Sequence, residues 1–173
     1  MRQTLFPALF LTLLGCATPA LAQDRVAAFL DLFETWCLSR KEDPGRDWET
    51  AYPENGRANS TAFSVNNIPQ AFYKRIYDAT GLSLAQEKHS CTVSTEEPAF
   101  STEESAAVLD GLSQIVAQRY PGLLREDDTE LGWDISRVWT DGPAGTPAAT
   151  WGIILMRVGD DLPFTTATLA LPH

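Results

Sequence analysis

The chain has 173 residues, with 23 acidic against 13 basic side chains and a formal charge of −10, a length that suits one domain with a real core. The charge opposes nucleic acid or an anionic membrane surface as partner, because each phosphate contact calls for Lys or Arg. The basic residues are also scattered, with no run beyond Arg40-Lys41 and Lys74-Arg75, so an acidic, soluble surface is the simpler meaning of the composition.

The start has the tripartite layout of a secretory signal. Arg2 supplies the positive charge, Leu5 to Leu14 forms an uncharged apolar run, and Ala20-Leu21-Ala22 ends it with small residues flanking a Leu. Small side chains at the first and third positions before the cut fit cleavage ahead of Gln23, and Pro19 breaks the helix before it. The apolar core is about 10 residues long against the roughly 20 that a spanning helix needs, so the mature chain is expected to have no transmembrane segment. Leu13-Leu14-Gly15-Cys16 also resembles the bacterial lipoprotein box, in which Cys16 would carry the lipid. Leu14 is bulky for its place in that box, and simple cleavage is the preferred route. The expectation is thus a signal peptide over 1–22 and a single α+β domain over 23–173, periplasmic or secreted, with lipid anchoring through Cys16 as the alternative. Removing 1–22 takes away Arg2 and no acid, which leaves a charge of −11.

Either route leaves Cys37 and Cys91 as the pair available for bridging, an even count suited to an oxidising compartment. A bridge would close a loop of roughly 55 residues and stabilise by about 4 kcal/mol in the chain-entropy model. The rival is a Cys91 nucleophile served by His89, but residues two apart cannot easily bracket a substrate, and a reactive thiol has no partner Cys.

Along the mature chain, 24–40 predicts an amphipathic helix, with Val26, Phe29, Leu30, Phe33, Trp36 and Cys37 at three- and four-residue steps and Asp24 as its N-cap. Residues 41–67 are polar and punctuated by Pro44-Gly45, Pro53, Asn55-Gly56 and Asn66-Asn67, and are expected to form a long loop; Asn59-Ser60-Thr61 fits a glycosylation sequon that is common by chance. A second helix is expected from Pro69 to Thr80, capped by Asn67 and stopped by Gly81, with Phe72, Ile76 and Ala79 buried. Gln86 to Ser94 predicts one short strand. Ser101-x-x-Glu104 is a capping box that opens a third helix, whose stripe is Val108, Leu109, Leu112, Ile115, Val116 and Tyr120 and whose stop is Pro121-Gly122.

An acidic connector (Glu126, Asp127, Asp128, Glu130) follows, and then the period changes to two: Trp133, Ile135 and Trp139 alternate with Asp134, Ser136 and Thr140. Asp141 to Thr150 is a Gly/Pro/Ala loop. Trp151 to Val158 and Phe164 to Leu171 form a hairpin around Gly159-Asp160-Asp161. The resulting fold class is α+β: two or three helices on one face of a roughly four-stranded, mainly antiparallel sheet with a C-terminal hairpin.

No nucleophile elbow, His-Glu-x-x-His, Cys-x-x-Cys, P-loop or dinucleotide fingerprint is present. With only His89 and His173, no His-rich metal site can form. The acids of 126–130 lack the spacing of a calcium loop, and Glu103-Glu104 are accounted for by capping. No catalytic, cofactor or metal residue is assigned. Trp133, Trp139 and Trp151 lie on expected strands, where a helix-free face could stack them on sugar rings or peptides, although a Trp-rich core is the preferred reading. The expected function is a non-catalytic periplasmic or secreted protein that binds a protein or cell-envelope component. The alternatives are a carboxylate-dependent envelope hydrolase and an acidic inhibitor of the immunity type.

Overall fold

A computed structural model describes residues 19–43, 57–65, 68–77, 80–127, 135–158 and 164–172. Most of the segment expected to be a signal peptide, with Cys16, and also Trp48, Trp133 and Asp160-Asp161, lie outside the described residues.

The N-terminal helical rod is α1 (Pro19–Leu32), a π-helical segment (Phe33–Leu38) and α2 (Ser39–Glu42) in unbroken succession. Phe29, Phe33 and Cys37 recur every fourth residue and are fully buried. The π segment widens one turn, so that the Ser39 N–H reaches back five residues to the Glu34 carbonyl. Within that segment the consecutive Cys37 and Leu38 are both buried. The rod already runs through the expected cleavage point, so Asp24 lies inside the helix and is not its N-cap.

Helix α3 (Thr102–Arg119) follows its predicted signals closely. Glu104 N–H donates to Ser101 Oγ at 3.1 Å and Ser101 N–H to Glu104 Oε2 at 2.8 Å, the reciprocal capping box. Val108, Leu112 and Val116 are buried along one stripe. Gly111 lets the two helical layers meet closely: a Cβ there would stand 2.4 Å from Leu30 Cδ1.

Eight strands form one sheet: β1 (Arg57–Val65), β2 (Ile68–Tyr77), β3 (Leu82–Glu87), β4 (Ser90–Thr95), β5 (Leu124–Asp127), β6 (Ile135–Thr140), β7 (Gly152–Val158) and β8 (Phe164–Ala170). Their order is β1-β2-β3-β4-β8-β7-β6-β5, and every neighbouring pair is antiparallel. Two four-stranded meanders therefore join edge to edge at β4 and β8. Strand alternation sends Leu82, Leu84, Cys91, Val93, Trp139, Ile153, Leu155, Ala167 and Leu169 toward the helices, and all nine are buried with Phe29, Phe33, Leu38, Phe100, Val108, Leu112 and Val116.

The α+β class and the C-terminal hairpin of β7 and β8 hold, whereas the described residues form eight strands and not four. The segment expected as a second helix from Pro69 to Thr80 is mostly β2, laddered to β1 on one side and β3 on the other. Its aromatic and β-branched residues (Phe72, Tyr73, Ile76, Tyr77) suit a half-buried pleated surface, and pairing on both sides outweighs the fourfold apolar spacing. The expected loop over 41–67 contains β1, with Val65 paired to Ile68 across Asn66-Asn67. Gln86 to Ser94 is not one strand but parts of β3 and β4, with Lys88 and His89 in the turn between Glu87 and Ser90. Gly81 terminates no helix; it sits in the β2–β3 turn at φ +64°, where a Cβ would lie 2.9 Å from the Glu97 carbonyl oxygen. The acidic connector begins as β5, with Asp127 opposite Arg137.

Candidate functional site

The two helical layers run in the same direction. Arg25 near the start of the rod pairs with Glu104 at 3.4 Å, and Arg119 at the end of α3 pairs with Glu34 at 3.0 Å and also with Glu42. Both negative helix ends therefore meet at one end of the molecule, where cations in the last turn are favourable. Arg40 and Lys41 of α2 and Arg119 of α3 occupy those turns.

Arg40 ties its helix to the β3–β4 turn: Nη1 donates to the Ser90 carbonyl at 2.8 Å and Nη2 to that of Lys88 at 3.0 Å. Lys41 places Nζ 4.7 Å from the centre of the Trp151 ring, a cation–π contact. Trp151 meets Tyr120 edge to face at 5.2 Å. The Tyr120 hydroxyl donates to Glu42 Oε1 at 3.0 Å, and burial, followed by that carboxylate, pushes its pKa up to about 12. Arg119 donates to both Glu42 oxygens and holds that carboxyl below its ordinary pKa. On the sheet side, Leu171 N–H donates to the His89 carbonyl at 2.8 Å, and His89 Nδ1 lies 2.7 Å from the Pro172 carbonyl oxygen. A carbonyl only accepts, so this bond places the ring proton on Nδ1.

These contacts frame a cavity of about 410 Å³ lined by Arg40, Lys41, Lys88, His89, Leu171 and Pro172. Three Lys/Arg side chains and one of the chain's two His residues converge here in a protein of charge −10. Lys88 is exposed and Lys41 half-buried, so their amines can meet an anion from solvent, while Leu171 and Pro172 supply an apolar wall. Arg40-Lys41 stood out in the sequence as a basic pair. Its approach to Lys88-His89 did not, because it depends on a hairpin turn that a single-strand reading of 86–94 leaves out.

The other expected site residues fall elsewhere. Cys37 and Cys91 are brought together, with the sulfurs 2.01 Å apart, at disulfide distance, and both residues fully buried. A sulfur so engaged gives no thiolate, and the half-buried His89 sits in a turn away from it, so the two form no dyad. Glu103 and Glu104 belong to the α3 cap. Glu126 accepts from the Ala144 N–H at 3.1 Å, and Asp127 is engaged by Arg125 and Arg137. Asp141 closes its loop by accepting from the N–H groups of Thr150 and Trp151 at 2.7 and 3.1 Å; the Thr150 hydroxyl, which also donates to it, and then these N–H groups lower its pKa. Trp139 lies on the helix side and is 4 % exposed, so it is core and not a stacking platform on the opposite face. That face instead carries hydroxyl pairs at its centre, Thr92–Thr168 at 3.0 Å and Ser94–Thr166 at 3.1 Å.

A second cavity of about 300 Å³, between α3 and the sheet, is lined chiefly by Val116, Tyr120, Leu123 and Trp139, with Arg125 at hand. No carboxylate lines either cavity among the described residues. Among those residues, too, no three His, Cys, Asp or Glu side chains stand together as a metal site, and no helix is long and apolar enough to cross a membrane.

The fold and the site together define an α+β protein with two parallel helical layers on an eight-stranded antiparallel sheet and a basic cavity at the helix C-terminal end. Comparison with protein-family models, curated proteins and solved structures returns no match.

Proposed function

We propose that this chain is an exported, non-catalytic binding domain that holds an anionic group of a protein or cell-envelope component in the cavity of Arg40, Lys41, Lys88 and His89. The observation that supports it is the gathering of cations in an otherwise acidic chain. Cationic side chains raise the local concentration of anions and orient them, and an apolar wall adds contact area. Leu13 to Ala22 supports export, and the buried Cys37–Cys91 pair is compatible with an oxidising compartment.

The binding test is native co-purification from the protein's own envelope extract, comparing the unsubstituted chain with Lys41→Glu/Lys88→Glu. Both positions are solvent-accessible, so the variant should fold, as checked by thermal melting. The partner should be lost from the variant and weakened by salt, since screening shortens to about 3 Å at 1 M ionic strength. Equal recovery with both proteins, or hydrolysis of an envelope glycan by the purified chain, would overturn the proposal. Mass analysis of the exported protein tests the address: it should begin at Gln23, and a diacylated Cys16 would replace the soluble form with a lipid-anchored one.

A further inference from the structure

The two edges of the sheet are unlike. The β5 edge is four residues long and charged, and its Asp127 is clamped by Arg125 and Arg137. Short, charged edges resist pairing with another chain. The β1 edge is nine residues long, Arg57–Val65, and its one charge is Arg57 at the start. All nine residues ladder to β2, while β2 ladders to β3 only through Tyr73–Tyr77. The paired stretch from Thr61 to Phe72 therefore runs about 17 Å past β3 as a two-stranded ribbon, at about 3.4 Å per residue. Over Arg57 to Tyr77 there is no Asp or Glu, and Arg57, Lys74 and Arg75 make the segment +3, so the remainder of the −10 chain is −13. Lys74 and Arg75 stand opposite Asn59 and Ala58, one strand in from the edge.

We propose that β1 accepts, by strand addition, an extended acidic segment of a partner polypeptide. Among the described residues no strand ladders to the outer side of β1; such an edge offers a row of backbone donors and acceptors, and the positive charge of the β1–β2 pair selects a strand of opposite sign. A second copy of this chain would bring the same positive segment to the edge and lacks that complementarity. The inference goes beyond the cavity reading and uses a surface two strands away from the β3–β4 turn, so the two can fail separately.

The probe is a capped, fluorescent peptide of alternating Glu and Val, as long as β1, with its Lys–Val counterpart as control, added to the full chain. Anisotropy should show binding of the Glu–Val peptide alone, weakening as salt rises. Amide hydrogen exchange should slow at alternate residues of β1. Ala58→Glu/Ala62→Glu should bind on the order of tenfold more weakly through like-charge repulsion, while Lys41→Glu/Lys88→Glu should bind as the unsubstituted chain does. The exchange measurement needs no variant, so it decides even where the Glu substitutions disturb folding. Equal binding of both peptides, binding without protection of β1, or concentration-dependent protection of β1 in the absence of peptide (self-pairing) would overturn the inference.

Discussion

Asp127 shows how one carboxylate can hold an edge strand. It accepts from Arg125 within β5 and from Arg137 across the β5–β6 ladder, and those guanidinium groups, Arg125 first, bring its pKa down to about 2 from an ordinary 3.8. A depressed carboxyl pKa contributes stability that is complete above the unfolded value and is lost as pH falls through the folded one. The window therefore runs from about pH 4 down to about 2. The side chain is 47 % exposed, so solvent screens the contribution and keeps it small. Denaturant midpoints measured across that window should fall less steeply for Asp127→Asn than for the unsubstituted chain, and added salt should shrink the difference. Identical acid limbs would show that the pairs contribute nothing.

At the level of elements, α3 is the case in which local sequence and tertiary packing agree. Ser101 and Glu104 close the first turn on each other, and the apolar stripe meets the sheet. Ser101→Ala removes the acceptor for the Glu104 N–H and should cost about 1 kcal/mol, read as a lower urea midpoint with an unchanged slope. β2 is the opposite case. Phe72, Ile76 and Ala79 recur at helical spacing, yet the segment is a strand because β1 and β3 ladder to it from both sides. Those partners are separate segments, and a local window of sequence does not hold them. The Lys88-His89 turn was hidden for a different reason: Glu87 to Ser90 holds no Gly, Pro, Asn or Asp, so no strong turn residue marks the reversal. The missed turn took with it two of the six residues that line the basic cavity, Lys88 and His89.

For the molecule as a whole, the Cys37–Cys91 pair stands at disulfide distance between the layers, where a bridge joins the π-helical segment to central strand β4. The two residues are 54 apart in sequence, so bridging them restricts the unfolded chain by about 4 kcal/mol in the loop-closure model. Cys37→Ser/Cys91→Ser should lower the melting temperature by more than any surface substitution. Dithiothreitol should lower that of the unsubstituted chain and leave the double variant unmoved. A reductant-insensitive melt would remove the bridge from the account of stability.

The sequence by itself determined the export signal as an expectation, the α+β class, the capped helix α3, the C-terminal hairpin and the pairing of Cys37 with Cys91. Each depends on near neighbours, on a short period or on the parity of a rare residue. Only the tertiary structure decided the eight-stranded order, the parallel run of the helices, the placing of a short charged strand at one edge and a long sparsely charged one at the other, and the meeting of Arg40-Lys41 with Lys88-His89. These follow from backbone ladders between distant segments, and ladder bonds are made by N–H and C=O groups that every residue shares. The side-chain pattern alone therefore does not name the partner strand.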